Sequence, residues 1–170
     1  LRDGKSGIEV LLLRRAERGD QNSGAWVFPG GLVDASDTDC HGLAVGLSDA
    51  AASRRLDLAS GGLDYFVAAL RECFEEAGLL LAVDSEGRMP RLHGAEGERI
   101  GAWRTPMHRG ERRLADLCVQ EGLRLATDRL EYFSHWLTPL GRPKRFDTRF
   151  FVAAAPEGQE SAHDTHETVE

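Results

Sequence analysis

The pattern of hydrophobic positions predicts one long amphipathic helix near the middle of the chain. At about 100° per residue, the apolar residues of segment 64–77 fall on one side of a helix and the polar residues on the other. The segment is followed by Gly78, a residue type that commonly ends helices. We therefore expect this helix to bury one side in the core. The apolar side carries Phe66, Val67, Leu70, Cys73, Phe74 and Ala77.

Strands are predicted on both sides of this helix. Segment 8–15 is rich in aliphatic residues and lies between glycines, which indicates a buried strand. In a second strand Trp26 and Phe28 alternate with Val27, so both aromatic rings are expected on one side of the sheet, where they would pack into the core; stacking on a nucleobase is the alternative. The five predicted strands are 8–15, 26–28, 79–83, 131–138 and 148–155, and the last two are expected to pair antiparallel.

Two more helices are predicted, over residues 47–58 and 107–122, and segment 84–101 is expected to be a loop. Strands and helices alternate along the chain, and antiparallel pairing is expected near its end. This arrangement indicates the α+β class. His135, in the fourth strand, is expected to be a hydrogen-bonded, half-buried residue and not a ligand.

Size and composition limit the class of protein. With 170 residues, of which 41% are hydrophobic and 29% charged, residues 1–170 fit a single globular domain. No apolar run is long enough to cross a membrane, and no signal peptide is visible. The net charge of −7 argues against nucleic-acid binding. The chain begins with Leu1 and stops at Glu170, so we expect it to be truncated at both ends.

The three cysteines show no spacing typical of a disulfide framework or a zinc site. We therefore expect a reducing compartment and a cytoplasmic location. Cys73 lies on the apolar side of the long helix, where a small core residue is expected and not a nucleophile.

Three carboxylates lie on the polar side of the long helix. Glu72, Glu75 and Glu76 fall at about 0°, −60° and +40°, and they occupy the last two turns, where the helix dipole favours cations. Their mutual repulsion indicates a site for a hard divalent cation such as Mg²⁺ or Mn²⁺. The alternative is an acidic surface exposed to solvent.

A glycine-rich break follows the second predicted strand. Gly30 and Gly31 come directly after Pro29, and adjacent glycines allow the backbone to approach a metal or phosphate closely. Such a break on its own is equally typical of a simple turn.

Taken together, these two motifs resemble the signature of the Nudix hydrolases. Residues 71–79 read Arg-Glu-Cys-Phe-Glu-Glu-Ala-Gly-Leu and match the second half of the Nudix box. The first half departs from the family, because Asp37 stands where Glu is usual and 33 residues separate it from Arg71. An interrupted box, together with segments 24–31, 135–139 and 145–151, resembles the relatives of the peroxisomal coenzyme A diphosphatase.

The resemblance implies a Nudix-type α/β/α sandwich with a mixed sheet and an insertion at about residues 38–62 within the box. We expect the insertion to form a lid or a wall of the substrate site. It also implies that Glu75 and Glu76 hold Mg²⁺ or Mn²⁺ together with the carbonyl of Gly31 or Gly30, and that Glu72 is a further ligand or the base. Arg71 would orient the carboxylates.

The general base is left open by the resemblance, since it can come from the box or from a distal segment. Glu72 is the candidate within the box, and Glu167 is the first choice outside it. The other distal candidates are Glu157, Glu160, His163 and His166, and each of them has the alternative of being a solvated tail residue.

A basic cluster lies beside the predicted pair of strands and is a candidate for binding substrate phosphates, including the 3′-phosphate of coenzyme A. A charged hairpin surface is the alternative. The cluster consists of Arg142, Lys144, Arg145 and Arg149.

The function implied by the resemblance is metal-dependent hydrolysis of a diphosphate linkage in a small nucleotide-derived substrate. Coenzyme A or acyl-coenzyme A would give 3′,5′-ADP and phosphopantetheine or its acyl form. The alternatives are an ADP-ribose or other nucleoside-diphosphate-linked diphosphatase, and a non-catalytic Nudix-like nucleotide-binding module. A homodimer is a further expectation.

Overall fold

A computed structural model describes residues 1–15, 24–142 and 144–162 of the chain. Five α-helices and eight short strands lie in these ranges, which agrees with the predicted α+β class. The helices are α1 (Asp49–Leu56), α2 (Gly62–Ala77), α3 (Gly94–Gly101), α4 (Arg104–His108) and α5 (Leu114–Glu121).

The strands of the described ranges form four antiparallel pairs. The longest pair has a bulge between Tyr132 and Ser134. An isolated parallel bridge joins Ala44 to Leu125. The pairs are β1 (Arg2–Gly4) with β2 (Gly7–Glu9), β3 (Leu13–Arg14) with β4 (Trp26–Val27), β5 (Ala82–Val83) with β6 (Arg124–Leu125), and β7 (Glu131–Leu137) with β8 (Asp147–Val152).

Helix α2 is the centre of the fold, and its apolar side is buried as the sequence predicts. Phe66, Val67 and Phe74 are completely withdrawn from solvent in the main core cluster. Cys73 is partly buried and packs against this cluster. The helix ends at Gly78, whose φ of 73° lies in the left-handed region that favours glycine.

Side chains of the insertion hold the first residues of α2 in place through hydrogen bonds. Its helix α1 supplies Asp49, whose carboxylate accepts hydrogen bonds from the amides of Gly61 and Leu63 at 3.1 and 3.0 Å. The hydroxyl of Ser53 accepts a third bond from the amide of Gly62 at 2.9 Å. These bonds satisfy amides that have no partner within the helix.

The insertion also contributes to the core, since Cys40, Ala52 and Leu56 are buried. Its predicted role as a lid or substrate wall stays a prediction. Deleting residues 40–60 would remove part of the core, so such a deletion does not test that role.

Two predictions for the first strands are wrong. Segment 8–15 is not one buried strand, because β2 ends at Glu9, β3 begins at Leu13, and Ile8 is 71% exposed. The tight turn between Gly4 and Gly7 pairs β2 with β1, so β2 lies in a hairpin outside the core. Trp26 and Phe28 are also outside the core, with 56% and 53% of their surfaces exposed.

The middle of the chain is more helical than predicted. Segment 84–101 contains helix α3, and the helix predicted over 107–122 is divided into α4 and α5. The division falls at Gly110, whose φ of 69° interrupts a right-handed helix. The predicted strand 79–83 is limited to β5, because Gln159 bonds both backbone groups of Leu80 with its side-chain amide.

Candidate active site

The three carboxylates of α2 are held in a largely buried environment. The side chains of Glu72 and Glu75 are 14% and 10% exposed, and Glu76 is 9% exposed. A solvated acidic face would leave such side chains free in water, so that alternative is excluded. Burying like charges together is costly unless cations or hydrogen-bond donors compensate them.

Arg71 is the main positive group in this environment. Its Nη1 lies 2.7 Å from Glu72 Oε1 and 3.7 Å from Glu75 Oε1. Burial alone would lower the pKa of Arg71, but hydrogen bonding to Asp37 and the charge of Glu72 raise it above its ordinary value. Arg71 therefore remains charged and can orient the carboxylates, the role implied by its place in the motif.

Asp37 is the bidentate partner of Arg71. Its two carboxylate oxygens lie 2.8 and 3.2 Å from Nε and Nη2 of the guanidinium, and the residue is only 1% exposed. Asp37 also accepts a hydrogen bond from the amide of Asp34 at 2.8 Å. Asp37, where the sequence departs from the Nudix pattern, thus has a structural role that the motif alone does not predict.

The glycine break lies directly against the carboxylates. The amide of Gly30 donates to Glu76 Oε2 at 2.8 Å. A Cβ atom at position 31 would overlap the carboxylate of Glu72, so any larger residue there would displace that carboxylate from its present position. The structure thus brings together the two motifs that the sequence analysis combined.

Arg104 lies at the carboxyl end of α2. Its Nη2 donates to the carbonyl oxygens of Glu75 and Glu76, at 3.0 Å each, and to that of Ala162 at 2.7 Å. A cation at this end of a helix is favoured by the dipole. No sequence motif points to this residue, because its contacts are with backbone groups far along the chain.

Burial changes the ionisation of two side chains on α2. It raises the pKa of Glu75 to about 6; the charge of Glu72 adds to this rise, whereas Arg71 and His108 oppose it. Burial likewise raises the pKa of Cys73 to about 11, so this thiol is not a nucleophile at neutral pH.

The predicted basic cluster is divided in two. Arg142, Lys144 and Arg145 are exposed in the connection between β7 and β8, where Nε of Arg145 donates to the carbonyl of Thr138. Arg149 lies inward, with its side chain 5% exposed.

Arg149 packs against the amino-terminal half of α2. Its guanidinium lies 4.5 Å from the ring of Tyr65, and its Nη1 is 2.6 Å from Asp147 Oδ1. Its buried Nε has no hydrogen-bond partner within the described residues. Tyr65 is seven residues before Glu72, so it lies on the carboxylate side of the helix, two turns away.

The distal base candidates fall into two groups. Glu157 and Glu160 are described and exposed, whereas Glu167, His163 and His166 lie outside the described residues. The last described residue, Ala162, donates its amide to the carbonyl of Ala77 at 2.9 Å. The last described residue therefore lies at the carboxyl end of α2.

A hard divalent cation fits the chemistry of this donor set. The candidate ligands are carboxylate and carbonyl oxygens, which are the ligands that Mg²⁺ and Mn²⁺ prefer. In residues 1–15, 24–142 and 144–162, no three acidic, histidine or cysteine side chains are grouped to hold a metal. Because the carboxylates bond to Arg71 and to the Gly30 amide, holding a cation requires them to exchange some of these partners.

A solved structure shares this fold. The NUDIX hydrolase from Alicyclobacillus acidocaldarius matches the chain with a TM-score of 0.73 and 29% sequence identity, over 95% of this chain and 69% of that protein. The fold and the carboxylate helix together define a Nudix hydrolase domain. Residues 49–170 match the family described as the NUDT19 Nudix domain, and the chain belongs to this family.

Two relatives are named acyl-coenzyme A diphosphatase NUDT19. The protein from Gallus gallus is 30% identical over 184 residues, which cover 88% of this chain and 49% of the relative. The protein from Homo sapiens is 28% identical over 195 residues, which cover 96% of this chain and 52% of the relative. The chain thus spans about half the length of these relatives. No helix in its described part is long and apolar enough to cross a membrane.

Proposed function

We propose that this chain is a metal-dependent diphosphatase that hydrolyses coenzyme A or acyl-coenzyme A to 3′,5′-ADP and phosphopantetheine or its acyl form. The observation that carries the proposal is the buried carboxylate group of α2 beside the glycine break. Membership of the NUDT19 family supports the choice of substrate. The substrate itself is inferred from relatives that are about twice as long as this chain.

Each residue of the site has a proposed role. Glu72, Glu75 and Glu76, with the carbonyl of Gly31, would hold Mg²⁺ or Mn²⁺. When bound, such a cation acidifies water and neutralises charge on the diphosphate. Arg71 holds the carboxylates in position through the pair with Asp37.

The proton acceptor stays open between two residues. Glu72 is already beside the site, and Glu167 follows five residues after Ala162, which is bonded to the end of α2. Hydrolysis needs a group that accepts the proton of the attacking water. Glu167→Gln distinguishes the two without altering a proposed metal ligand: the acidic limb of the pH profile of kcat/KM is lost if Glu167 is the base and is retained if Glu72 is the base.

The exposed cations of the β7–β8 connection are proposed to bind substrate phosphates. Arg142, Lys144 and Arg145 are accessible to a ligand, and they provide positive charge for a phosphate in a chain whose net charge is −7. Arg149 is also proposed to bind substrate. Since it is largely covered, we expect substitution there to affect folding as well as substrate affinity.

The substitution Glu76→Gln tests the metal-dependent mechanism. Glutamine can still accept the Gly30 hydrogen bond but carries no charge for a cation, so we expect turnover with Mg²⁺ to fall on the order of 100-fold or more. Glu98→Gln, on the exposed surface of α3, is the matched control. Wild-type turnover by Glu76→Gln would refute the mechanism.

Two measurements separate the alternatives. Initial rates with coenzyme A, ADP-ribose, dinucleoside polyphosphates and NADH distinguish the proposed substrate from other diphosphates. Calorimetric titration with Mn²⁺ distinguishes an enzyme from a non-catalytic module, which should bind no metal through these acids. The buried Asp37–Arg71 pair argues against the non-catalytic module, because the residue at the unusual position of the box is still bonded to the arginine of the motif.

A cytoplasmic location, a homodimer and the lack of nucleic-acid binding stay predictions.

A further inference from the structure

Three aromatic rings form a cluster on the outer side of the β7–β8 hairpin, with Phe150 partly buried between two exposed rings. The ring of Phe150 lies 6.0 Å from that of Phe28 and 6.2 Å from that of Trp136, and both pairs meet edge to face. Phe28 is 53% exposed and Trp136 69% exposed. Grouped aromatic surface of this kind is typical of a binding site, whereas single exposed apolar residues are not.

The aromatic cluster adjoins the carboxylate site. Phe28 is two residues before Gly30, whose amide is bonded to Glu76, and two residues span about 7 Å at most. The opposite side of β8 faces α2, where the ring of Phe151 lies 4.6 Å from that of Phe66. A ligand on the aromatic cluster would therefore be close to the proposed site of diphosphate cleavage.

Positive charge lies near the aromatic cluster, in the chain that leads into β8, since Phe146 is two residues before Thr148, which lies opposite Trp136 in the strand pair. Lys144 and Arg145 are exposed in the connection that leads into β8, and Lys144 Nζ lies 4.9 Å from the ring of Phe146. An acyl chain would use the rings but not the cations, and a diphosphate alone would use the cations but not the rings. A nucleotide that bears a phosphate on its ribose uses both.

We propose that the aromatic cluster binds the nucleobase of the substrate, with the ribose 3′-phosphate on Lys144 and Arg145. The inference rests on the proposed function and adds an orientation to it. The nucleotide half of coenzyme A lies on the β7–β8 hairpin, the diphosphate lies at the carboxylates of α2, and the phosphopantetheine half extends away from the hairpin.

Binding of the separate halves of the substrate tests this orientation without relying on turnover. The probes are 3′,5′-ADP, 5′-AMP and 4′-phosphopantetheine, titrated calorimetrically into the full chain with Mg²⁺ present. Trp136→Ala should weaken both nucleotides about 10-fold or more, because the base loses a stacking surface, and should leave phosphopantetheine unchanged. Lys144→Ala should weaken 3′,5′-ADP more than 5′-AMP.

Matched variants keep the test specific. Phe133→Ala removes another exposed aromatic ring from β7, outside the aromatic cluster, and should change none of the affinities. Trp136→Phe retains a ring and should recover most of the nucleotide affinity. In turnover, Trp136→Ala should raise KM for coenzyme A while kcat stays near the wild-type value.

Several results would overturn the inference. They are unchanged 3′,5′-ADP affinity in Trp136→Ala, a loss confined to phosphopantetheine, and no measurable binding of 3′,5′-ADP by the wild type. If the wild type hydrolyses coenzyme A and Trp136→Ala keeps its KM, the inference fails while the proposed function stands. If the wild type hydrolyses no coenzyme A at all, the proposed function fails first.

Discussion

Asp37 and Arg71 meet in a buried ion pair that joins the chain just before the insertion to the carboxylate helix. Removing one partner of such a pair leaves an uncompensated charge, so we expect Asp37→Ala to lower the free energy of unfolding by about 3 kcal/mol. Asp39→Ala is the matched control, because Asp39 pairs with Arg113 on the surface and should contribute less than about 1 kcal/mol. Urea unfolding measures both, and equal losses would contradict a structural role for Asp37.

The buried carboxyl of Glu75 should make the metal-free protein sensitive to pH. Its pKa is raised from 4.5 to about 6, so the folded state binds the proton more tightly than the unfolded state. The free energy of unfolding therefore falls as pH rises between these values, by about 2 kcal/mol. In EDTA, Glu75→Gln should be more stable than the wild type at pH 8, and the difference should vanish below pH 4.5.

Unfolding curves at pH 4 and pH 8 measure this difference, with Glu98→Gln as the surface control. Added Mg²⁺ should reverse it, because the cation then stabilises the wild type. Equal stability of Glu75→Gln and the wild type at pH 8 in EDTA would show that burial of the charged carboxylate does not lower the free energy of unfolding.

At the scale of elements, the contact between α1 and α2 determines where the carboxylate helix begins. A Cβ atom at position 62 would overlap the backbone of Ala52 and Ser53. We expect Gly62→Ala to push the helices apart and to cost about 2 kcal/mol of unfolding free energy. Gly101→Ala, at the end of α3, places its Cβ in open space and should be neutral or slightly stabilising. Similar thermal midpoints for the two variants would contradict this close contact.

The long elements follow from the sequence because their patterns are long enough to be unambiguous. Helix α2 shows two well-separated sides over 16 residues, and the β7–β8 pair lies on either side of a Pro- and Gly-containing connection. Short elements do not follow in this way. The two-residue strand β5 depends on whether Gln159 or another strand bonds Leu80, and that choice is made by tertiary contacts.

The residues of the candidate site also differ in whether the sequence predicts them. The carboxylates, Arg71 and the glycine break could be predicted because spacing within one helix and one turn defines them. Asp37 and Arg104 could not, since the partner of Asp37 is 34 residues away, those of Arg104 are 28 or more residues away, and both depend on how the insertion and α4 pack. Phe28 was predicted for the core because alternation in a strand does not show which side is covered.

At the scale of the whole molecule, two groups of opposite charge lie where the substrate is proposed to bind. The chain carries a net charge of −7, with carboxylates gathered on α2 and exposed cations on the β7–β8 connection. The net negative charge opposes the approach of an anionic diphosphate, whereas the cations of the β7–β8 connection attract it. The proposed divalent cation would change the charge of the carboxylate site and make it a second attractive region.

The most direct test of the proposed diphosphatase is to identify the products formed from coenzyme A. The chain is incubated with coenzyme A and Mg²⁺ in ¹⁸O-labelled water, and the products are analysed by mass spectrometry. We expect 3′,5′-ADP and 4′-phosphopantetheine, one of them carrying a single ¹⁸O atom, and no product in EDTA or with Glu76→Gln. Intact coenzyme A, removal of only the 3′-phosphate, or the same products formed in EDTA would contradict a metal-dependent diphosphatase.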